Sequence, residues 1–115
     1  MVITNENQKI DLKVKMREGK GETIIKHIIN SDELNHSRLF STITLKKGCS
    51  IGTHTHLNET EYYYILSGEG VVSEKSGDTT VKVGDVVVTG DKQSHSIINN
   101  GNEDLVFIAL ILLDD

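Results

Sequence analysis

The chain has 115 residues, 37% of them apolar and 25% charged, a composition that suits one folded domain over residues 1–115 and excludes a disordered one. Its 12 basic and 17 acidic side chains give a formal charge of −5, which repels phosphate backbones and argues against a nucleic-acid partner. The single cysteine, Cys49, closes no internal disulfide, no leader-like apolar stretch opens the sequence, and the longest apolar run, LVFIALILL at 105–113, is far short of the roughly 20 residues of a membrane helix; a cytoplasmic protein with no membrane partner is expected.

Taken in chain order, the hydrophobic period is two rather than 3.6. Ile10, Leu12, Val14 and Met16 alternate with Asp11, Lys13 and Lys15, the pattern of a half-buried strand. After the turn GKGE, TIIKHII at 23–29 is short and β-branched and reads as a second strand. The polar stretch 30–37 predicts at most one helical turn, with Asn30 and Glu33 as a weak capping box. RLFSTITL at 38–45 is a strand, closed by Lys46, Lys47 and Gly48. SGEG at 67–70 predicts a hairpin turn into VVSEK; TTVKV, VVVT and HSII follow as strands between glycine turns, and NNGN at 99–102 is a strong turn. The last strand, 105–113, is apolar on both faces, so its outer face needs cover, and a second copy of the chain in a homodimer is the simplest source. Strands every eight to twelve residues with glycine turns between them predict an all-β sandwich or small barrel.

The stretch GCSIGTHTHLNETEYYYILSG at 48–68 concentrates metal-type donors. Residues i and i+2 on a strand share a face, so His54 and His56 project together if THTH is extended. Glu61 lies five residues on, across LNET, a segment expected to loop at the surface with Glu59 exposed. Imidazole with carboxylate suits one divalent transition ion such as Zn, Ni, Mn, Fe or Co. A fourth donor has to come from elsewhere, and His95, which opens a β-branched run after a loop, is the obvious choice. His36 sits in a polar loop and is read as solvated, and His27 within its strand as a packed or surface residue. Cys49 has the wrong strand parity and is left out.

With the glycines added, the spacing tightens. Gly48, His54, His56, Glu61 and Gly68 together resemble the first signature of the cupin superfamily, and Gly84, His95 and Asn99 occupy the place of its second, so that the two motifs cover 48–68 and 84–99. Two positions depart from that pattern: Gly90 stands where proline is usual, and Lys92 where glycine is usual. Gly90 is expected to recover the turn by flexibility and Lys92 to reach into solvent. The resemblance implies a double-stranded β-helix, here with an N-terminal strand extension, and a metal inside the barrel on His54, His56, Glu61 and His95.

Four protein donors on a six-coordinate ion leave two adjacent positions for a bidentate oxygen ligand, whereas a tetrahedral zinc would be closed. The expected partner is therefore a small oxygenated molecule. The function read first is a metal-dependent enzyme, an isomerase, dioxygenase or lyase; binding without turnover and a purely structural metal are the alternatives. Tyr63 shares parity with Glu61 and is the one candidate catalytic acid, although a barrel tyrosine more often packs with its hydroxyl tied down.

Overall fold

The computed structural model describes residues 1–115. Ten strands account for nearly all regular structure: β1 (Ile10–Val14), β2 (Glu22–His27), β3 (Ser37–Leu45), β4 (Ser50–Thr55), β5 (Glu59–Ser67), β6 (Glu69–Glu74), β7 (Gly77–Lys82), β8 (Val86–Thr89), β9 (Ser94–Ile98) and β10 (Leu105–Leu113). They form two antiparallel sheets, a six-stranded one in the order β1-β2-β3-β10-β5-β8 and a four-stranded one in the order β4-β9-β6-β7. This is the double-stranded β-helix expected from the motifs, with β1 as the added strand at the edge of the larger sheet. No helix is long and apolar enough to cross a membrane.

The alternation read from the sequence sorts side chains onto inner and outer faces. Ile25, Ile43, Phe107 and Ile65 follow one another across β2, β3, β10 and β5 on the inner face and are buried, and Ile51, Val72 and Ile97 meet them from the smaller sheet. Buried Asn99 closes the turn before β10: its amide donates to the carbonyls of Leu45 (2.8 Å) and Glu103 (2.7 Å), and its side-chain oxygen accepts from the Gly101 N–H (2.9 Å).

Four expectations are corrected. SGEG is no hairpin: β5 pairs with β10 and β8 while β6 pairs with β7 and β9, so the chain crosses between sheets at Gly68. Gly68 has φ 77°, and a side chain there would run into the carbonyl of Asp104, so both the backbone conformation and the space require glycine. The strand at β1 is present, but its apolar face is turned outward: Ile10, Leu12 and Val14 are exposed, while Asp11 and Lys13 sit opposite the inward-facing Ile25 and Thr23. Residues Ser31–Glu33 make a single 3-10 turn, and Asn30 precedes it without any side-chain cap. Gly90 does not work through flexibility; it is buried against the Thr60 side chain, where a Cβ has no room. Lys92 is exposed as expected and adopts φ 66°, the left-handed conformation for which glycine is favoured at that position.

Candidate metal centre

His54 comes from β4 and lies directly opposite His95 on β9, an antiparallel pairing interrupted by a bulge between Ile51 and His54. His56 follows the end of β4, and its backbone is held to the β8–β9 loop by its own N–H to the Gln93 carbonyl (3.0 Å) and the Lys92 N–H to its carbonyl (3.1 Å). Glu61 projects from β5, opposite Thr89 of β8. Two strands of one sheet face one strand of the other, and the four donor groups meet between them.

The donor atoms lie close together. His95 Nε2 is 2.9 Å from His54 Nε2, 3.1 Å from His56 Nε2 and 3.0 Å from Glu61 Oε1. Glu61 Oε1 is 3.0 Å from His56 Nε2 and 3.7 Å from His54 Nε2. One donor atom from each of the four residues can be chosen so that all fall within 4.8 Å of one another, a group that could hold a metal ion.

The opposite edges of the rings decide where the protons are. His54 Nδ1 donates to the Gly52 carbonyl (2.8 Å), an oxygen that can only accept. His56 Nδ1 donates to Glu59 Oε2 (2.6 Å), again an acceptor. His95 Nδ1 pairs with the Thr89 hydroxyl (2.8 Å), which can accept from it. With Nδ1 protonated, each Nε2 is a lone pair, and three lone pairs plus a carboxylate oxygen converge. Four acceptors cannot satisfy one another; a proton on one ring relieves the conflict partly, and a cation at the centre relieves it entirely.

The electrostatics carry the same conflict. Burial raises the Glu61 carboxyl, but hydrogen bonding to His54, His56 and His95 outweighs it and holds the group well below the usual carboxylate range. Burial likewise works to lower His56, but its contacts with Glu61 and Glu59 prevail and raise it. For His95 burial wins and the ring is pushed down.

Glu59 is a correction. It is not exposed in a loop; it opens β5 with 8% of its surface accessible and holds Nδ1 of His56. Arg38 of β3 clamps the same carboxylate with two hydrogen bonds of 2.7 Å, from Nε to Oε1 and from an NH2 group to Oε2. The guanidinium is the main reason Glu59 lies below its ordinary pKa, with burial opposing it. A signal was available in the sequence: Glu59 has the strand parity of Glu61. Arg38, far away in the chain, had none.

Tyr63 is fully buried, stacked on His95 (ring centroids 5.1 Å apart, planes 17° apart) and tilted against Phe107. Burial, then the nearby Glu61 charge, push its hydroxyl well above the ordinary value. His27 is part-buried and bonded to Asp11 (2.8 Å), and His36 is exposed with φ 55°. A cavity of about 240 Å³ reaches from His54, His56, Glu61 and Tyr63 toward β1 and β2, where Asp11 and His27 line it.

Comparison with known proteins agrees with the fold. The family described as "Cupin domain" matches residues 41–111. A Thermotoga maritima protein named oxalate-binding protein is 46% identical over 99 residues, covering 85% of this chain and 82% of that one. A crystal structure from Thermotoga maritima, described as a predicted oxalate decarboxylase, superposes with a TM-score of 0.92 at 42% identity, covering 98% of this chain and 99% of the other. An uncharacterized conserved protein with a double-stranded β-helix domain from Klebsiella pneumoniae has a TM-score of 0.74 at 20% identity, covering 99% and 90%, a likeness of fold alone.

Proposed function

The chain belongs to the cupin family, and on that premise we propose that His54, His56, Glu61 and His95 hold one divalent transition ion that captures a small carboxylate in the barrel. The observation carrying this reading is the convergence of four acceptor atoms, a carboxylate oxygen and three ring nitrogens whose opposite Nδ1 edges face hydrogen-bond acceptors. The spacing supports a six-coordinate ion. Donors set at right angles about 2.1 Å from a centre lie about 3.0 Å apart, whereas tetrahedral donors lie about 3.4 Å apart. Four of the donor separations fall between 2.9 and 3.1 Å.

Bound there, the ion supplies Lewis-acid attraction for carboxylate or keto oxygens. The chain's own residues do the rest. Gly52, Glu59 and Thr89 orient the three rings, and apolar walls such as Ile43, Ile51 and Ile111 keep the cavity of low dielectric, which strengthens charge recognition. The ligand class follows from the relative named for oxalate, whose two carboxylates offer oxygens to adjacent positions on one ion.

Binding is favoured over turnover. An isomerase, dioxygenase or lyase needs a group beside the ligands that is free to move a proton. Of the side chains adjoining the ligand set, Tyr63 is packed between His95 and Phe107 with a hydroxyl that resists ionisation, Glu59 is locked between Arg38 and His56, and the Thr89 hydroxyl is tied to His95. The test is elemental analysis of protein purified without added metal, for wild type, H54A and E61A, followed by calorimetric titration with oxalate. Wild type carries close to one divalent ion per chain and binds oxalate saturably without product, and both variants lose the ion. Equally low metal in all three preparations overturns the reading.

The outer face of the larger sheet fits a second copy of the chain. Val86, Val88, Tyr64, Leu66 and Leu112 are exposed there beside the half-buried Val106, Ile108 and Leu110, and a patch of this kind supports a symmetric homodimer.

A further inference from the structure

We propose that the cavity is built for a carboxylate longer than oxalate: a 2-oxo or 2-hydroxy acid with a short apolar chain and a second carboxylate, the second held by Arg17 and Lys13. This rests on the metal-site reading above and names the ligand of that site.

The first ground is size. A cavity of about 240 Å³ has room for about eight waters, and oxalate fills about a third of it. The second is the order of the lining. The metal-type donors and Tyr63 line one part of it, Asp11, Lys13 and His27 of β1 and β2 line another, Arg17 reaches it from the segment that lies over β4, and Ile25, Leu39, Ile43 and Ile111 add apolar walls. The cavity spans several strands: His27, Ser41, Ala109 and Tyr63 are successive cross-strand partners, and His27 and Tyr63, both in its lining, are three strand spacings or about 14 Å apart along the sheet. Oxalate, with its carboxylates directly bonded, reaches the donor part alone and leaves the apolar walls to water. A ligand with methylenes between its charged groups packs on those walls and reaches Lys13 and Arg17.

The third ground is charge. Arg38 also lines the cavity, but its guanidinium is clamped on Glu59, and Asp11 accepts from His27. Lys13 and Arg17 take part in no ion pair. Two cations without an ion-pair partner in the lining of one cavity recognise an anionic group. Their placement also explains the inverted β1, whose polar face has to point inward if Lys13 is to line the cavity.

The fourth ground is the backbone that carries Arg17. Lys15, Arg17 and Glu18 have φ of 52°, 54° and 64°, a left-handed run without a glycine among the three. Such residues persist only where their surroundings hold them, and they concentrate at ligand clamps. Here the strap 15–19 is pressed onto β4: a Cβ on Gly52 would collide with the Arg17 carbonyl, and one on Gly19 with the Ser50 carbonyl. Met16, next to Arg17, packs against the core. The backbone of Arg17 is thus held beside the cavity, with its side chain exposed at the rim.

The experiment is calorimetric titration of the Mn²⁺-loaded chain with oxalate, 2-oxopentanoate and 2-oxopentanedioate, which share a chelating head and differ in chain and second carboxylate. The dicarboxylate with the longer chain is expected to bind more tightly than oxalate, and about tenfold more tightly than 2-oxopentanoate, the ratio expected for one charge-assisted contact. R17Q brings that ratio close to one. K13Q, on strand β1, lowers it in smaller degree and serves if R17Q does not fold. Oxalate binding more tightly than both others, or a ratio unchanged in both variants, overturns the inference and leaves the metal site standing. No binding of any of the three by metal-loaded protein overturns both.

Discussion

Three hydrogen bonds on the outer edges of His54, His56 and His95 set the character of the metal-type cluster, and the one from His56 to Glu59 is the shortest of them at 2.6 Å. Glu59 keeps the proton on Nδ1 of His56 and raises the basicity of Nε2, and Arg38 keeps Glu59 in place. Glu59→Ala is therefore expected to weaken metal affinity by about 10–100-fold, read by competition with a chromophoric chelator. Glu59→Gln should restore part of the loss, because an amide oxygen still accepts from Nδ1. A purely packing role would leave the two variants alike. The same cluster predicts a direction with pH. His56 is raised because Glu61 and Glu59 outweigh its burial, so its proton competes with a metal from a higher pH than an ordinary imidazole of about 6.5. Metal affinity should fall as pH drops from about 8 to about 5, beginning above that ordinary value; chelator competition across the range checks it, and an affinity indifferent to pH would sink the assignment. In the sequence, strand parity was enough to pair His54 with His56. It missed Glu59 because LNET reads as a loop, although only His56, Leu57 and Asn58 lie between the strands there.

At the scale of elements, an alternating pattern identifies a strand without saying which face is inside. Ile10, Leu12 and Val14 are exposed because β1 is an edge strand with a cavity rather than a core behind its inner face, and polar side chains face that space. The crossing at Gly68 was hidden for a related reason: a short glycine turn between two strands reads as a hairpin unless the long-range partners are known, and here they are β10 and β9. Strand number, spacing and the two glycine-bracketed motifs were legible because they are local in the chain; partner choice is not. The strap over β4 gives a prediction at this scale. Gly52→Ala puts a methyl group into the Arg17 carbonyl, backbone against backbone, so the strap has to lift. Overpacking of this kind costs about 1–3 kcal/mol and should lower Tm by several degrees in thermal denaturation, with faster proteolysis at residues 15–19. A variant as stable as wild type would show that the strap moves freely. Lys92→Gly should go the other way, raising stability by about 0.5–1 kcal/mol, because it relieves a left-handed residue in a turn that the metal-type residues flank.

The whole molecule sets a polar cluster within an apolar core and also exposes an apolar face on the outside of the larger sheet, which a free subunit has little reason to keep. On the outer face of the larger sheet, the row Phe40, Leu110, Tyr62 and Val88 runs beside the row Ile108, Tyr64 and Val86 across β3, β10, β5 and β8. Those strands are the ones that carry Glu61, Arg38, Glu59 and Tyr63 on their other face, so whatever covers the outer face also stiffens the wall of the candidate metal site. A two-fold partner does this with one patch meeting its own copy. Val88 is the position at which to test it, because it is 52% exposed in the subunit and a change there costs little in folding, within about 0.5 kcal/mol. Val88→Glu places a carboxylate opposite Tyr62 at the β8 edge of the patch, and burying an unpaired charge in an apolar interface is costly. Val83→Glu, at 62% exposure in the turn between β7 and β8, adds the same charge outside the patch. In sedimentation velocity at tens of micromolar, wild type and Val83→Glu should run as dimers and Val88→Glu as a monomer with unchanged circular dichroism. A monomeric wild type, or a dimer that tolerates glutamate at 88, would assign the apolar face to some other partner and leave the wall of the site to stand on its own strands.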